Sequence, residues 1–277
     1  RPDLWHAWVA EATQRCDMGQ SKEALAVIEE TLSRFSHLPR LFVEQARAHR
    51  LGGDRPAAKA SLMQALAISP AWGVAVREYV EVAVDLNEDL ADAERVIRNA
   101  LLRGAENPDL RGLLGWLLER MGRPSEALEA VRASLKLDPG PRWVWETARR
   151  ILGSEQRLGE FESWIEDMVS SRPGDPIAWA VKAELEDDPT RVVQAADRAL
   201  AIAPRFQRAW AVKLQALLAS EQYGALDEAL SQLPWKDDTP LELQMYRPRS
   251  LRRKGSTRGA YLAMKKSGRV VQIGTQR

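Results

Sequence analysis

The chain has 277 residues, 45% of them hydrophobic, which is ample for a sizeable folded body. A single cysteine, Cys16, excludes a disulfide framework, and no apolar run reaches membrane-spanning length. The net charge of +1 hides a split: 30 Lys/Arg against 39 Asp/Glu before Met245 give −9, while Met245–Arg277 carries ten Lys/Arg and no acid.

Apolar residues at helical spacing recur in pairs of stretches separated by a turn. Trp5, Trp8 and Ala12 line a first helix, Gly19 turns the chain, and Ala24, Leu25, Ile28 and Leu32 line a second, with Ser21 as its cap. Phe42, Ala46 and His49, then Gly52-Gly53, then Ala58, Leu62, Ala65 and Leu66 repeat the plan, with His49 reading as a packing residue. Trp72, Val76, Tyr79 and Val80 precede a turn at Asn87, a residue that tolerates left-handed backbone, and Ala93, Val96, Ile97 and Leu101 follow. In Asn107–Pro139 the expected cap is Asp109, with Pro108 just outside the helix. Leu110, Leu113, Leu114, Leu117 and Leu118 line that helix, Gly122 ends it, and Ala127, Leu128, Val131 and Leu135 line its partner. Gly115 and Ala127 are small where the two helices would cross. Trp143, Trp145, Ala148 and Leu152, a turn at Gly159, and Phe161, Trp164, Ile165, Met168 and Val169 make a fifth hairpin. A short sixth turns at Asp187-Asp188-Pro189, and a seventh carries Phe206, Trp210, Leu214 and Leu217, then Leu226, Ala229 and Leu230. Corresponding turns recur roughly every 34 residues, the spacing of a helical repeat.

A small residue in the first helix, Gly at the turn, Ala-Leu opening the second helix and Pro at its end resemble the tetratricopeptide-repeat family. That resemblance implies an all-α fold, a right-handed α–α superhelix of about seven helical hairpins over residues 1–238, with a short basic extension at 239–277. One hairpin cannot bury its own apolar face and needs neighbours. The implied function is a non-catalytic scaffold whose first helices line a concave face for a protein or an extended peptide. Well-known peptide-binding members hold a chain-terminal carboxylate with Asn and Lys/Arg; the equivalent helices here offer Glu11, Gln45, Glu78, Trp116 and Arg149, which disfavours that clamp. Arg111 stands where the family's first-helix aromatic usually stands, and Trp116 replaces a small groove-facing residue. The candidate binding residues are therefore Trp116 with a local basic patch of Arg111, Arg120, Arg149 and Arg150, together with Glu78 and Gln45. Most of the ten tryptophans are expected to fill repeat cores.

After Pro234 the hairpins stop. Leu241–Tyr246 reads as one short helical turn packed on the seventh hairpin, residues 260–266 as a short helix, and residues 269–275 as a strand. Arg247, Arg249, Arg252, Arg253, Lys254, Arg258, Lys265, Lys266 and Arg269 would suit a nucleic acid, and the strand would suit self-association. Ala260–Arg277 also resembles a helix–strand piece of glucose-fructose-oxidoreductase-type dehydrogenases. The Gly-rich fingerprint of that family is absent, and no dehydrogenase activity follows. His6, His37 and His49 form no metal-binding spacing, so neither a cofactor nor a metal is expected. The start at Arg1 reads as a processed or excised piece, which keeps a regulatory repeat domain of a larger enzyme as the alternative, and a cytoplasmic setting is the expectation.

Overall fold

A computed structural model of the chain describes residues 4–87, 90–104, 107–235, 238–259 and 261–265; all secondary structure among them is helical. Contacts divide the chain into two units, Arg1–Asp138 with Trp143–Glu155, and Pro139–Arg142 with Gln156–Arg277.

The first unit holds the hairpins α1 (Trp5–Asp17)/α2 (Ser21–Arg34), α3 (Pro39–Leu51)/α4 (Arg55–Ile68), α5 (Gly73–Asp85)/α6 (Ala91–Arg103) and α7 (Pro108–Arg120)/α8 (Pro124–Leu137). It ends with α9 (Arg142–Ser154), which belongs to it from Trp143 onward. Each helix from α1 to α7 packs on the next one in sequence, and α1 meets α3 and α5 meets α7. This is stacking between neighbours rather than closure round one centre. The buried stripes are those the spacing implies: Ala24 and Ile28 in α2, Ala58, Leu62 and Ala65 in α4, Ala127, Val131 and Leu135 in α8.

The hairpin turns share one device. Gly19, Gly53 and Gly122 take φ of +72°, +82° and +72°, and the next residue donates its N–H to a carbonyl five positions back, as in Arg123 N–H to Leu118. Asn87 holds the same region at φ +53°. At α7 the cap is Asn107, not Asp109: the Asn107 side-chain oxygen accepts from Leu110 N–H at 3.1 Å, and Pro108 is the first helical residue. Proline lacks the N–H that would go unbonded there, so the helix starts one step earlier, and Asp109 still faces the positive end of the dipole. Ser21 likewise is the first residue of α2 and does not cap it; Gln20 precedes it, and its side chain accepts from Arg15 rather than capping the helix.

The crossing of α7 and α8 depends on Gly115. A Cβ there would lie 2.5 Å from Val131 Cγ2 and 3.0 Å from the Ala127 carbonyl oxygen. On the second helices, Glu94 accepts from Arg98 on its own helix and from Arg123 at the mouth of α8, and Arg123 also binds Glu126. Burial alone would push the Glu94 carboxyl up, but the hydrogen bonds and charges of the two arginines outweigh it and hold the group below the usual carboxylate range. A lowered folded pKa contributes stability that is present above the unfolded value near 4.5 and lost as pH falls through the folded one. Glu94→Gln is therefore expected to cost about 1 kcal/mol at neutral pH, discounted for the solvent-exposed arginines, with the difference from wild type vanishing in acid. Denaturant titrations at neutral and strongly acidic pH check this.

The second unit holds α10 (Leu158–Ser171), α11 (Pro176–Leu185), α12 (Pro189–Ile202), α13 (Gln207–Ala219), α14 (Tyr223–Ser231), α15 (Leu241–Gln244) and α16 (Tyr246–Arg253). Gly159 does not make a turn: it is the second residue of α10, and Gln156 takes the left-handed conformation at φ +59°. Glu221 does the same before α14, at φ +60°. The first helix of the sixth hairpin, α11, is short at 10 residues, as expected.

The segment after Pro234 is built into this unit. Leu243 of α15 and Tyr246 of α16 join the core of Trp210, Leu214, Leu217 and Leu226. The arginine-rich stretch that reads as the opening of a tail is thus largely the helix α16, packed on α13 and α14. Ser250 is buried and donates to Asp227, which also takes Lys254 at 2.6 Å. Residues 257–259 and 261–265 are helical. Lys266, Arg269 and the strand expected at 269–275, with the self-association assigned to it, lie outside the described residues, as does most of the dehydrogenase-like stretch.

Candidate protein-binding surface

In the first unit the first helices of successive hairpins are joined by ion pairs. Arg47 of α3 binds Asp17 of α1, Arg50 of α3 binds Glu78 and Glu81 of α5, Arg77 of α5 reaches Asp109 of α7 at 4.0 Å, and Arg150 of α9 forks onto Glu119 of α7. Exposed pairs of this kind contribute little energy each, roughly 0–1 kcal/mol, so their main effect is on register. They also mark one face, because only side chains on the same side of neighbouring first helices can meet.

Two tryptophans lie on that face. Trp143 of α9 reaches back over α7, where a Cβ at Gly112 would lie 2.8 Å from its ring, and Arg77 of α5 stacks on it at 5.1 Å. Gly112 and Arg77 thus lock Trp143 between three hairpins. Trp116 of α7 is partly buried, with the Arg120 guanidinium 5.1 Å from its ring centre. Arg120 is exposed and has no carboxylate partner among the described residues. It is the member of the expected patch seated on Trp116.

The other candidates have separate places. Arg150 is committed to Glu119, and Glu78 to Arg50. Gln45 accepts from Ser61 of α4 at 3.0 Å, inside its own hairpin. Arg111 is partly buried, with its Nε buried and lacking a hydrogen-bond partner, and Arg149 is partly buried on α9. Sequence reasoning read Asp109 as a cap and Trp143 as a packing residue and did not name Arg77; the signal for a shared face was helical periodicity, which puts all three on the same side of their helices as Arg47 and Arg50. Of the ten tryptophans, Trp145 and Trp210 are buried and the other eight are partly buried.

The second unit has an open groove of about 760 Å3 between α11, α13 and the chain end. Its floor is Ala183, Val192, Ala211 and Ala216, and Tyr246 stands at one edge. Arg208 forks onto Glu184 at 2.6 and 2.7 Å and donates to the Gly140 carbonyl at 3.0 Å, while Gln207 donates to Glu242. The polar groups of this groove are therefore largely satisfied by one another.

Among the described residues no cluster of three or more His, Cys, Asp or Glu could hold a metal ion, and no helix is long and apolar enough to cross a membrane. Burial pushes the Cys16 thiol up, away from thiolate reactivity.

The tetratricopeptide-repeat family matches residues 86–144. None of the curated proteins matches the sequence. Among solved structures, yeast Tom70 is 14% identical with a TM-score of 0.53, over 91% of this chain and 55% of that one. Pseudomonas aeruginosa pilF is 14% identical with a TM-score of 0.49, over 87% and 96%, and a thermophilic repeat protein of Thermus thermophilus is 16% identical with a TM-score of 0.46, over 78% and 100%. At such identity the likeness to Tom70 speaks for the fold alone. The hairpin register and the neighbour-to-neighbour packing make this an all-α helical-repeat chain whose fold is tetratricopeptide-like, with the family itself matched across residues 86–144.

Proposed function

We propose that the chain is a non-catalytic scaffold that binds a protein or an extended peptide on the first-helix face of its first unit, anchored at Trp116 and Arg120. The observation that carries this reading is the contrast on that face. Arg47, Arg50, Arg77 and Arg150 are each paired with a carboxylate, whereas Arg120 is exposed, stacks on a partly buried tryptophan and has no carboxylate partner among the described residues. A guanidinium beside an indole suits a segment bearing a carboxylate next to an apolar side chain, and Trp and Arg are the residues that dominate binding hot spots. A cytoplasmic setting fits the lone, buried thiol.

Peptide-display selection against the whole chain tests the reading, followed by titration of the enriched peptide. Trp116→Ala and Arg120→Glu are each expected to weaken binding at least roughly tenfold, which corresponds to about 1.4 kcal/mol. Equal binding by both variants would remove this face as the site. A nucleic acid on the basic segment is the competing partner, and its support is the unpaired cations discussed next.

A further inference from the structure

The chain end carries a surface that the packing does not use. Arg247, Arg252 and Arg253 of α16, with Arg258 and Lys265 beyond it, are exposed and have no carboxylate partner among the described residues. Lys254 is held by Asp227, and Arg249 stacks on Tyr246 at 5.4 Å, so these two belong to the fold. Between the free cations stand three exposed apolar side chains, Tyr261 at 61%, Leu262 at 56% and Met264 at 47%. Within the helical residues 261–265, Tyr261 lies one turn from both Met264 and Lys265, and Leu262 lies one turn from Lys265, so Leu262 and Met264 flank Tyr261 on its two sides. Along the sequence Arg258 precedes these apolar residues and Lys265 follows them, and no acidic residue follows Glu242 anywhere in the chain.

We propose that this end is a peripheral docking surface for an anionic lipid bilayer. Tyr261, Leu262 and Met264 enter the headgroup boundary, while Arg247, Arg252, Arg253, Arg258 and Lys265 meet lipid phosphates and carboxylates. The charge complementarity is one-sided, because five unpaired cations face outward with no acid among them. A nucleic acid would satisfy the same cations, and Tyr261 could stack on a base, but a sugar–phosphate chain gives Leu262 and Met264 nothing to bury against. An interface does: a large apolar side chain between flanking cations is the arrangement of surface-lying helices. Polybasic attraction alone is weak per charge, so the apolar trio and the cations act together, as two-signal anchoring requires.

The test is co-sedimentation of the full chain with vesicles of phosphatidylcholine alone or mixed with phosphatidylserine, beside titration of a fluorescent single-stranded oligonucleotide. Binding is expected only to the vesicles that contain phosphatidylserine, and to fall as salt rises. Arg252→Glu with Arg253→Glu is expected to weaken it by at least about tenfold, from a contribution of roughly fivefold per cation at an anionic surface. Leu262→Ser with Met264→Ser is expected to weaken it to a similar degree while leaving any residual oligonucleotide binding unchanged. All four sites are exposed, and far-ultraviolet circular dichroism confirms the fold of each variant. Tighter binding to the oligonucleotide than to phosphatidylserine vesicles, insensitive to the serine pair, would overturn the proposal in favour of nucleic acid. Equal binding to both vesicle types, or to neither, would also overturn it. Neither result bears on the Trp116–Arg120 face, whose ligand is assayed separately.

Discussion

Trp145→Ala is expected to destabilise the first unit by about 3–5 kcal/mol, the range for emptying a large buried aromatic site. Trp145 is 2% exposed and is the largest of the fully enclosed side chains, flanked on α9 by the buried Val144, Ala148, Ile151 and Leu152. The site cannot easily collapse. Trp143, two residues earlier, is pinned between Gly112 and Arg77, and Arg150 is clamped on Glu119, so α9 is not free to slide inward. In a chain of nearest-neighbour contacts the loss falls first on α9 and the hairpin beside it. Denaturant unfolding followed by circular dichroism should therefore show an early phase as well as a lower midpoint. Trp116→Ala, at a partly buried position, is the control; its cost should be much smaller, because it leaves no enclosed cavity.

Gly115→Val is expected to cost about 3 kcal/mol, at the upper end of what overpacking usually exacts. The first added carbon already meets Val131 Cγ2 at 2.5 Å and, more seriously, the Ala127 carbonyl oxygen at 3.0 Å and the Val131 nitrogen at 3.2 Å. A side chain can rotate away, but the backbone of α8 can retreat only if the whole hairpin opens. A double-mutant cycle with Val131→Ala separates the two parts. Removing the valine methyls should recover some of the loss and leave the backbone share. Gly122→Ala gives the opposite comparison. Nothing lies within 4 Å of its added carbon, so the expected cost of about 1 kcal/mol comes from φ +72° alone. Equal losses at positions 115 and 122 would mean that the close approach of α7 and α8 is not what Gly115 provides.

The hairpins are legible in the sequence because local rules and packing agree along most of the chain. Gly19, Gly53 and Gly122 both punctuate the sequence and occupy the left-handed turn, and Asn87 substitutes for them as its chemistry allows. Around Gln156 they disagree. Gly159 is the stronger breaker in isolation, yet the left-handed residue is Gln156, three positions earlier, and Gly159 lies inside α10. Asn107 and Asp109 are both good caps, and Pro108 between them decides the choice. The chain end departs from its sequence reading for a similar reason: four arginines in eight residues suggest solvent, whereas Tyr246, Pro248 and Ser250 carry the buried side of α16. Trp116 is visible as an unusual groove residue. Its surroundings are not, since Arg150 and Glu78 take partners about one repeat away, and residue identity alone does not say which charges are spent on one another.

The ion pairs along the first helices also give each hairpin of the first unit an address. The sequence of signs is not uniform: α1 offers an acid to its successor, α3 answers with Arg47 and offers Arg50, α5 answers with acids and offers Arg77, and α7 answers with Asp109 but offers Glu119. Moving α5 into the place of α3 would set Glu78 against Asp17, and duplicating α3 would set Arg50 against Arg47. The modules look interchangeable in outline, but their order is keyed, and a shuffled or tandem-duplicated version of this array should exchange matched for like charges at each new junction, a cost of about 1 kcal/mol apiece, even with every apolar core left intact.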